Sequence, residues 1–187
     1  MAILSIRIIG DPVLRTVAGD VTDFGPELAK LIEDMTETMV DVRGAGLAAP
    51  QVGVSKRIFT YSVDGQEGHV INPVIVASDD FQPDQPEGCL SVPGLGFNVR
   101  RHRWVRITGV DLHGEPLDME ATGQLAKCFQ HETDHLNGKL YVDRLDGDDR
   151  KDALRAIRTA NYHDVTAQTV AKRSRTVGSA FGAGAAQ

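Results

Sequence analysis

The stretch "CFQHETDHLNG", residues 128–138, places two histidines four positions apart, with a glutamate directly after the first. On a helix, residues four apart lie one turn apart on the same face, so the imidazoles of His131 and His135 can reach one cation. Glu132 then lies beside that cation, where its carboxylate can take a proton from a water molecule. Two histidines do not hold a catalytic metal alone, so the rest of the chain must supply a third ligand and a scaffold.

The periodicity around this stretch predicts a helix over residues 123–136, and an amphipathic helix is predicted within 25–44, ending at Gly44. Between the two helices, β-rich runs occupy 57–63, 69–76 and 103–111, and a returning strand follows the turn "DLHGEP". This order predicts an α+β fold, in which a mainly antiparallel sheet packs around the HExxH helix, with one helix N-terminal and one C-terminal to it.

The C-terminal part differs in character from the rest of the chain. "DDRKDALRAIR" within 148–158 has its acids first and its bases last, as the helix dipole favours. Residues 147–187 carry seven Lys/Arg and four Asp, which gives this segment a net charge of +3. Because the whole chain carries −6, residues 1–146 carry −9. We predict a catalytic domain over 1–146, a charged helix over 147–164 and a disordered tail over 165–187.

Composition excludes several classes of protein. A net charge of −6 disfavours DNA binding. No apolar run reaches the roughly 18 residues of a membrane helix, and the start lacks the features of a signal peptide. Two cysteines predict reduced thiols rather than a disulfide framework. We therefore expect a cytoplasmic, monomeric protein without membrane contact.

The third ligand is not downstream of the histidine pair. The position that holds a third histidine in HExxHxxGxxH peptidases is Tyr141, and no glutamate follows Glu132, so only Asp143 remains as a weak candidate. Upstream, Cys128 can share a cation with His131 but hardly with His135, about 10 Å further along the helix. Cys89, on the irregular-looking segment "PEGCLSVPG", can approach a helix face, although its residue type alone equally suits a buried structural thiol.

Three motifs together resemble a known family. "GAGLAAPQ" at 44–51, "EGCLS" at 87–91 and "QHETDHLNG" at 130–138 look like the signature motifs of the bacterial peptide deformylases, and "GDPVLR" also resembles their start. The resemblance spans roughly residues 5–145. It implies an α+β fold and a hydrolase that removes the formyl group from the N-terminal formylmethionine of newly synthesised polypeptides.

The resemblance also implies roles for individual residues. Cys89, His131 and His135 would hold one divalent metal, Fe²⁺ in the family, with Zn²⁺ or Ni²⁺ able to substitute. Glu132 would be the general base and acid, and the Gln51 side chain and the Leu90 backbone N–H would donate to the developing oxyanion. The extended substrate would bind to the backbones of Ala45, Gly46 and Gly88. Partners would be nascent formylmethionyl polypeptides, with a possible ribosome contact through the basic C-terminal segment.

The chain departs from the family at Ala45, where many relatives carry a branched residue, and at Lys127, where they often carry an apolar one. Three rival functions suit parts of the pattern. An HExxH metallopeptidase lacks its downstream ligand here. A copper electron-transfer protein shares the ligand types but has no use for Glu132. A zinc module that binds a partner would bind metal without hydrolysis.

Overall fold

The computed structural model describes residues 2–160 and builds the chain around two unequal sheets. The five-stranded sheet has the order β1-β2-β3-β6-β7, and β4 and β5 form a separate hairpin. All neighbouring strands in both sheets are antiparallel. The strand bounds are β1 Gly46–Ala48, β2 Ile58–Val63, β3 Gln66–Ala77, β4 Gln85–Cys89, β5 Val92–Val99, β6 Trp104–Val110 and β7 Pro116–Thr122.

Within residues 2–160, three α-helices accompany the sheets: α1 Pro26–Asp41, α2 Gly123–Leu136 and α3 Gly147–Thr159. The α+β prediction is confirmed, and the helix expected over 123–136 has those bounds. Helix α1 ends at Asp41, before the predicted Gly44, because Arg43 adopts the left-handed conformation (φ 54°) and the Gly44 N–H closes on the Met39 carbonyl. Helix α3 ends at Thr159. Residues 161–164 of the predicted charged helix, and the predicted tail 165–187, lie outside the described residues.

Helices α1 and α2 pack on opposite faces of the large sheet, and β2 has buried residues on both faces. Phe59 and Tyr61 face α2, where the ring of Phe129 lies 5.8 and 5.1 Å from theirs. Ile58 faces the other way and packs with Met35 and other residues of α1. A strand that is buried on both faces does not need the alternation of polar and apolar residues that is typical of a half-exposed strand. The helix that carries the histidine pair is thereby held against the sheet by aromatic contacts.

The hairpin β4–β5 is a part of the architecture that the sequence did not predict. Its residues include Pro86, Gly88, Pro93 and Gly96, which have low strand propensity, so the segment reads as irregular. In the structure Gly88 pairs with Gly96, and Cys89 is the last residue of β4. The expectation that Cys89 lies on an irregular segment is therefore wrong, since the thiol is presented from a strand end.

The turn after α2 depends on one glycine. Gly138 has φ +68°, and a Cβ at this position would lie 2.9 Å from the backbone of Arg15 in a short 3-10 helix, Pro12–Arg15. Only glycine fits both the backbone conformation and the space. Within residues 2–160, no helix is both long and apolar enough to cross a membrane.

Candidate active site

The histidine pair on α2 has the geometry that its spacing predicts. The Nε2 atoms of His131 and His135 lie 3.2 Å apart, and their rings meet nearly edge to face at a centroid distance of 4.9 Å. His135 is 1% exposed, and burial lowers its pKa well below the usual value, which favours the neutral imidazole. Neutral imidazole is the form that ligates a metal.

Cys89 completes a group of three donor atoms. Its Sγ lies 3.2 Å from the His135 Nε2, and the thiol and both imidazole nitrogens lie within 4.8 Å of one another. Ligand bonds of about 2.0–2.3 Å in a tetrahedron separate ligand atoms by roughly 3.3–3.6 Å, close to the observed spacing. One thiol and two imidazoles at this spacing therefore fit a single divalent metal ion.

The other candidate ligands lie elsewhere. Cys128 is buried, and its thiol donates to the Ala45 carbonyl at 3.4 Å instead of joining the ligand group. Asp143 accepts from the Leu140 N–H at 2.8 Å and pairs with Arg15, and it is not part of the ligand group. Of the three upstream and downstream alternatives, the structure brings only Cys89 to the histidine pair.

A buried acid, Glu87, orients His131 from behind. Its Oε1 lies 2.6 Å from the His131 Nδ1, so the ring proton sits on Nδ1 and the Nε2 lone pair points to the thiol and the second histidine. Burial opposes ionisation of Glu87, but hydrogen bonds from His131 and Arg101 outweigh it and lower the pKa of the carboxyl to about 2. Glu87 is thus an anionic acceptor that fixes the tautomer of His131.

Arg101 links this acid to the histidine helix. The Arg101 side chain is 3% exposed. Its guanidinium donates to Glu87 from Nε at 3.0 Å and from Nη2 at 2.6 Å, and to Asp134 from Nη1 at 2.7 Å. Asp134 also accepts from the Arg144 Nε at 3.0 Å. Asp134, which directly precedes His135 in the sequence, is 4% exposed within this network. Buried charges of this kind persist only when fully paired.

Glu132 occupies a position that one glycine makes possible. Its side chain lies against the Cα of Gly46, where a Cβ would come within 2.8 Å of the Glu132 Cδ and Cγ. Glu132 is 3% exposed, and burial raises the pKa of its carboxyl to about 7. A carboxyl with this pKa can both accept and donate a proton near neutrality.

Gln51 is held from both ends of its amide. Its Oε1 accepts from the Ala48 N–H at 2.8 Å, and this bond settles which way the amide points, because only the oxygen can face a backbone donor. The Nε2 therefore faces the site, donating to the Ser91 Oγ at 3.2 Å and lying 3.8 Å from the Cys89 Sγ. Leu90 follows Cys89 in the turn between β4 and β5.

These groups line one cavity of about 610 Å³. The backbone around Ala45 and Gly46 borders it on one side and Gly88–Leu90 on the other, while α2 forms its wall with Lys127, Cys128, His131 and Glu132. All residues to which the family resemblance assigned metal binding, catalysis or substrate binding line this cavity except His135, whose Nε2 lies 3.2 Å from the Cys89 Sγ.

Sequence reasoning missed the Glu87–Arg101–Asp134 network and the hydroxyl of Ser91. The available signal was one pair of opposite charges, Glu87 in "PEGC" and Arg101 in "NVRR", which are costly to bury unless they pair. Nothing in the sequence shows that these two segments pair.

Comparisons with known proteins agree with this geometry. The family model described as polypeptide deformylase matches residues 3–151. A peptide deformylase of Acidothermus cellulolyticus is 50% identical over 97% of this chain and 100% of its own length, and one of Parafrankia sp. is 51% identical over 87% and 89%. A crystal structure of a peptide deformylase from Legionella pneumophila superposes with a TM-score of 0.81 at 41% identity, covering 89% of this chain and 98% of that one.

The match covers both the fold and the cavity-forming segments, from the glycine-rich strand to the histidine helix. The relatives at about half identity over most of the chain are peptide deformylases. The chain therefore belongs to the polypeptide deformylase family, the metal-dependent hydrolases that remove the formyl group from the N terminus of nascent polypeptides.

Proposed function

We propose that Cys89, His131 and His135 hold one divalent metal ion, and that Glu132, Gln51 and the Leu90 backbone hydrolyse the formamide of N-terminal formylmethionine. The observation that carries this proposal is the convergence of the three donor atoms beside the Glu132 carboxylate in one cavity. A metal there would act as a Lewis acid towards water and the formyl oxygen. The remaining steps fall to the chain's own residues.

Glu132 moves the protons. Hydrolysis adds the oxygen of water to the formyl carbon, breaks the C–N bond and returns a proton to the departing amine. The carboxylate takes the proton from the attacking water and passes it to the amine nitrogen, so one group serves both transfers. Its burial and raised pKa, about 7, support this double role because neither protonation state is strongly disfavoured at neutral pH.

Gln51 and Leu90 stabilise the oxygen that becomes negative. The Gln51 Nε2 already faces Cys89, and its amide cannot rotate without losing the bond to Ala48. The Leu90 N–H lies in the turn directly after the thiolate ligand. Two fixed donors next to the reacting carbon lower the cost of charge development because they need no reorganisation.

The substrate backbone binds between two strand edges. β1 is the edge strand of the large sheet, and β4 is an edge of the hairpin across the cavity. We propose that the backbones of Ala45, Gly46 and Gly88 pair with the extended substrate, as in other cases of strand addition. Gly88 has ordinary space around its missing Cβ, 3.6 Å to the Leu95 carbonyl, so its role is close backbone approach rather than internal packing.

We propose Fe²⁺ as the physiological metal, with Zn²⁺ or Ni²⁺ able to replace it. The donor set of one thiolate and two imidazoles suits all three ions, and the choice of iron rests on the resemblance to the family. Oxidation of a ferrous thiolate site offers a distinguishing property, since both metal and sulfur are oxidisable. The iron form should lose activity in peroxide faster than the nickel form, and equal inactivation rates would contradict it.

We further propose that the enzyme is a cytoplasmic monomer that acts on chains leaving the ribosome, with residues 1–146 as its catalytic domain. Helix α3 adds to that domain, because Ala153 is buried in the cluster that contains Val99 and Tyr141. Its outer face carries Lys151 and Arg155, each paired with an acid of the same helix. Charge reversal at Arg155 and Arg158 should weaken salt-sensitive cosedimentation with ribosomes.

The direct test of the proposed function is formate release from a formylmethionyl tripeptide by chain purified without oxygen, stripped of metal and reloaded with Fe²⁺, Ni²⁺ or Zn²⁺. Activity that returns with metal, together with no cleavage of the unformylated tripeptide, supports deformylation. Cleavage of internal peptide bonds in a casein digest would instead support the rival metallopeptidase.

A further inference from the structure

The wall that α2 contributes to the cavity changes character along the helix. Near the donor atoms it consists of His131 and Glu132. On the same face towards the start of the helix lie Cys128, Lys127 and Gln124, at three, four and seven positions before His131. At about 1.5 Å per residue, Lys127 lies roughly 6 Å and Gln124 roughly 10 Å from the level of His131.

Lys127 presents an incompletely satisfied charge at that end. Its Nζ donates to the Pro86 carbonyl at 2.6 Å, which uses one of three N–H groups. Within residues 2–160 the ammonium forms no ion pair. Partial burial lowers its pKa despite the attraction of the nearby Glu87 carboxylate, which means that the charge has lost part of its hydration. Two donors are therefore left for a group inside the cavity.

Gln124 adds a second polar group beside it. Its Nε2 donates to the Gln85 Oε1 at 3.0 Å, so polar contacts join α2 and β4 at two successive turns of the helix. A thioether is only a weak acceptor and gains little from such neighbours. The chemistry at this end of the cavity suits a side chain that ends in a strong acceptor oxygen.

We propose that Lys127 is a specificity-determining residue that lets the enzyme deformylate chains beginning with N-formylmethionine sulfoxide as well as N-formylmethionine. The inference rests on the proposed function: when the formyl carbon lies at the donor atoms, the first side chain of the substrate lies in the cavity that α2 lines. An extended methionine side chain spans most of the roughly 6 Å between the levels of His131 and Lys127. The oxygen of a sulfoxide extends beyond the sulfur, and there it accepts from the Lys127 ammonium.

The reaction itself is unchanged in this proposal. Sulfoxide forms when methionine is oxidised before deformylation, and it makes an apolar side chain polar. The S=O bond persists through hydrolysis, water supplies the new formate oxygen, and no oxidant or reductant takes part in the step. An apolar pocket would reject the sulfoxide about 10- to 100-fold, since a buried acceptor would lose its partner.

A second role for Lys127 makes a different prediction. If the ammonium only ties α2 to Pro86, its loss changes the shape of the cavity and affects every substrate alike. If it donates to the substrate, its loss affects only a substrate with an acceptor oxygen. Comparison of side chains of equal length separates the two roles.

The experiment measures kcat/KM for formate release from three formyl peptides that differ only in the first residue: methionine, norleucine and methionine sulfoxide. For wild type, kcat/KM with the sulfoxide should lie within tenfold of that with methionine, and a larger gap overturns the proposal. In Lys127→Met the ratio of sulfoxide to norleucine should fall about tenfold, the worth of a charged hydrogen bond. Lys139→Met, which removes an exposed ammonium outside the cavity, should keep the wild-type ratio.

An equal fall for all three substrates in Lys127→Met would overturn the proposal in favour of the tie to β4. Lys127→Arg retains a charged donor and should retain the sulfoxide-to-norleucine ratio of kcat/KM. This variant tests the role of the charge if Lys127→Met folds poorly. A wild type that releases no formate from the methionine peptide would contradict the proposed function itself, whereas normal methionine turnover with sulfoxide rejection contradicts only this inference.

Discussion

Helix α2 and the hairpin β4–β5 both supply functional residues to the cavity, but only α2 was predicted from the sequence. Helix α2 carries two of the donor atoms and Glu132, and its apolar residues follow one helical period. The hairpin carries Cys89, Leu90 and Glu87, yet its prolines and glycines hide its strands. The difference shows that local periodicity reveals an element that packs on one face, while a hairpin built for close backbone approach gives little local signal.

The substitution with the largest expected effect removes the thiol of the hairpin, and its control removes the thiol of α2. In Cys89→Ser a hydroxyl replaces the thiolate, and we expect most of the metal and nearly all activity to be lost. Cys128→Ser should keep both, because its thiol bonds to the Ala45 carbonyl instead of meeting the histidines. The number of metal ions per chain after anaerobic dialysis and the rate of formate release test both expectations. Equal metal content in the Cys89 variant and wild type would refute the ligand assignment.

Glu132→Gln tests the helix wall alone. Metal should remain, since the three donor atoms are untouched, while kcat should fall by roughly 10²–10⁴, towards the upper end because both proton transfers are lost. The corresponding hairpin substitution, Leu90→Ala, keeps the backbone donor and should cost far less. Near-normal formate release by metal-replete Glu132→Gln would show that another group carries the proton.

Gly46→Ala probes the place where the glycine-rich strand meets α2. The new methyl group would overlap the Glu132 side chain, 2.8 Å from its Cδ, so the carboxylate must move or β1 must shift. We expect kcat to fall at least about tenfold, because a misplaced general base loses part of its 10²–10⁴ contribution. Gly96→Ala is the matched control on the hairpin, where a Cβ meets only the Glu87 carbonyl at 3.8 Å. Equal activity in the two variants would contradict a steric role for Gly46.

Glu87→Gln should lower both metal affinity and stability. Loss of the carboxylate leaves Arg101 with one acid partner and weakens the orientation of His131, which typically costs 10–100-fold in metal affinity or activity. Asp118→Asn removes a comparable but half-exposed pairing with Arg106 and should alter neither property. Thermal unfolding and metal titration measure both, and identical behaviour of the two variants would argue against the buried network.

The same residue predicts a dependence of stability on pH. The pKa of Glu87 is about 2 in the folded chain, well below the usual value of a glutamate. Its contribution to stability is therefore complete above the unfolded pKa and is lost as the pH falls towards 2. Glu87→Gln should flatten this part of the stability curve. An unchanged acid limb would mean that other carboxyls dominate it.

Much of the fold was predictable because its largest elements stabilise themselves locally. Residues of α2 recur at helical spacing, and β2, β3 and β6 are rich in β-branched and aromatic residues, so both classes appeared in the sequence at nearly their observed bounds. Strand β1 was missed because it has only three residues, Gly46–Ala48, and forms by pairing with β2 rather than by its own propensity. The short edge strand depends on its neighbour.

By itself, the sequence determined that a helix presents His131 and His135 to one cation with Glu132 beside it, because helical geometry relates positions four apart without reference to the rest of the chain. Only the tertiary structure decided that Cys89 meets them, that Glu87 orients His131, that Gly46 leaves room for Glu132 and that Lys127 faces the cavity. Each of these contacts except the last joins residues more than 40 positions apart. Such contacts depend on how the hairpin and the sheet edge dock against α2, and no local pattern encodes that docking.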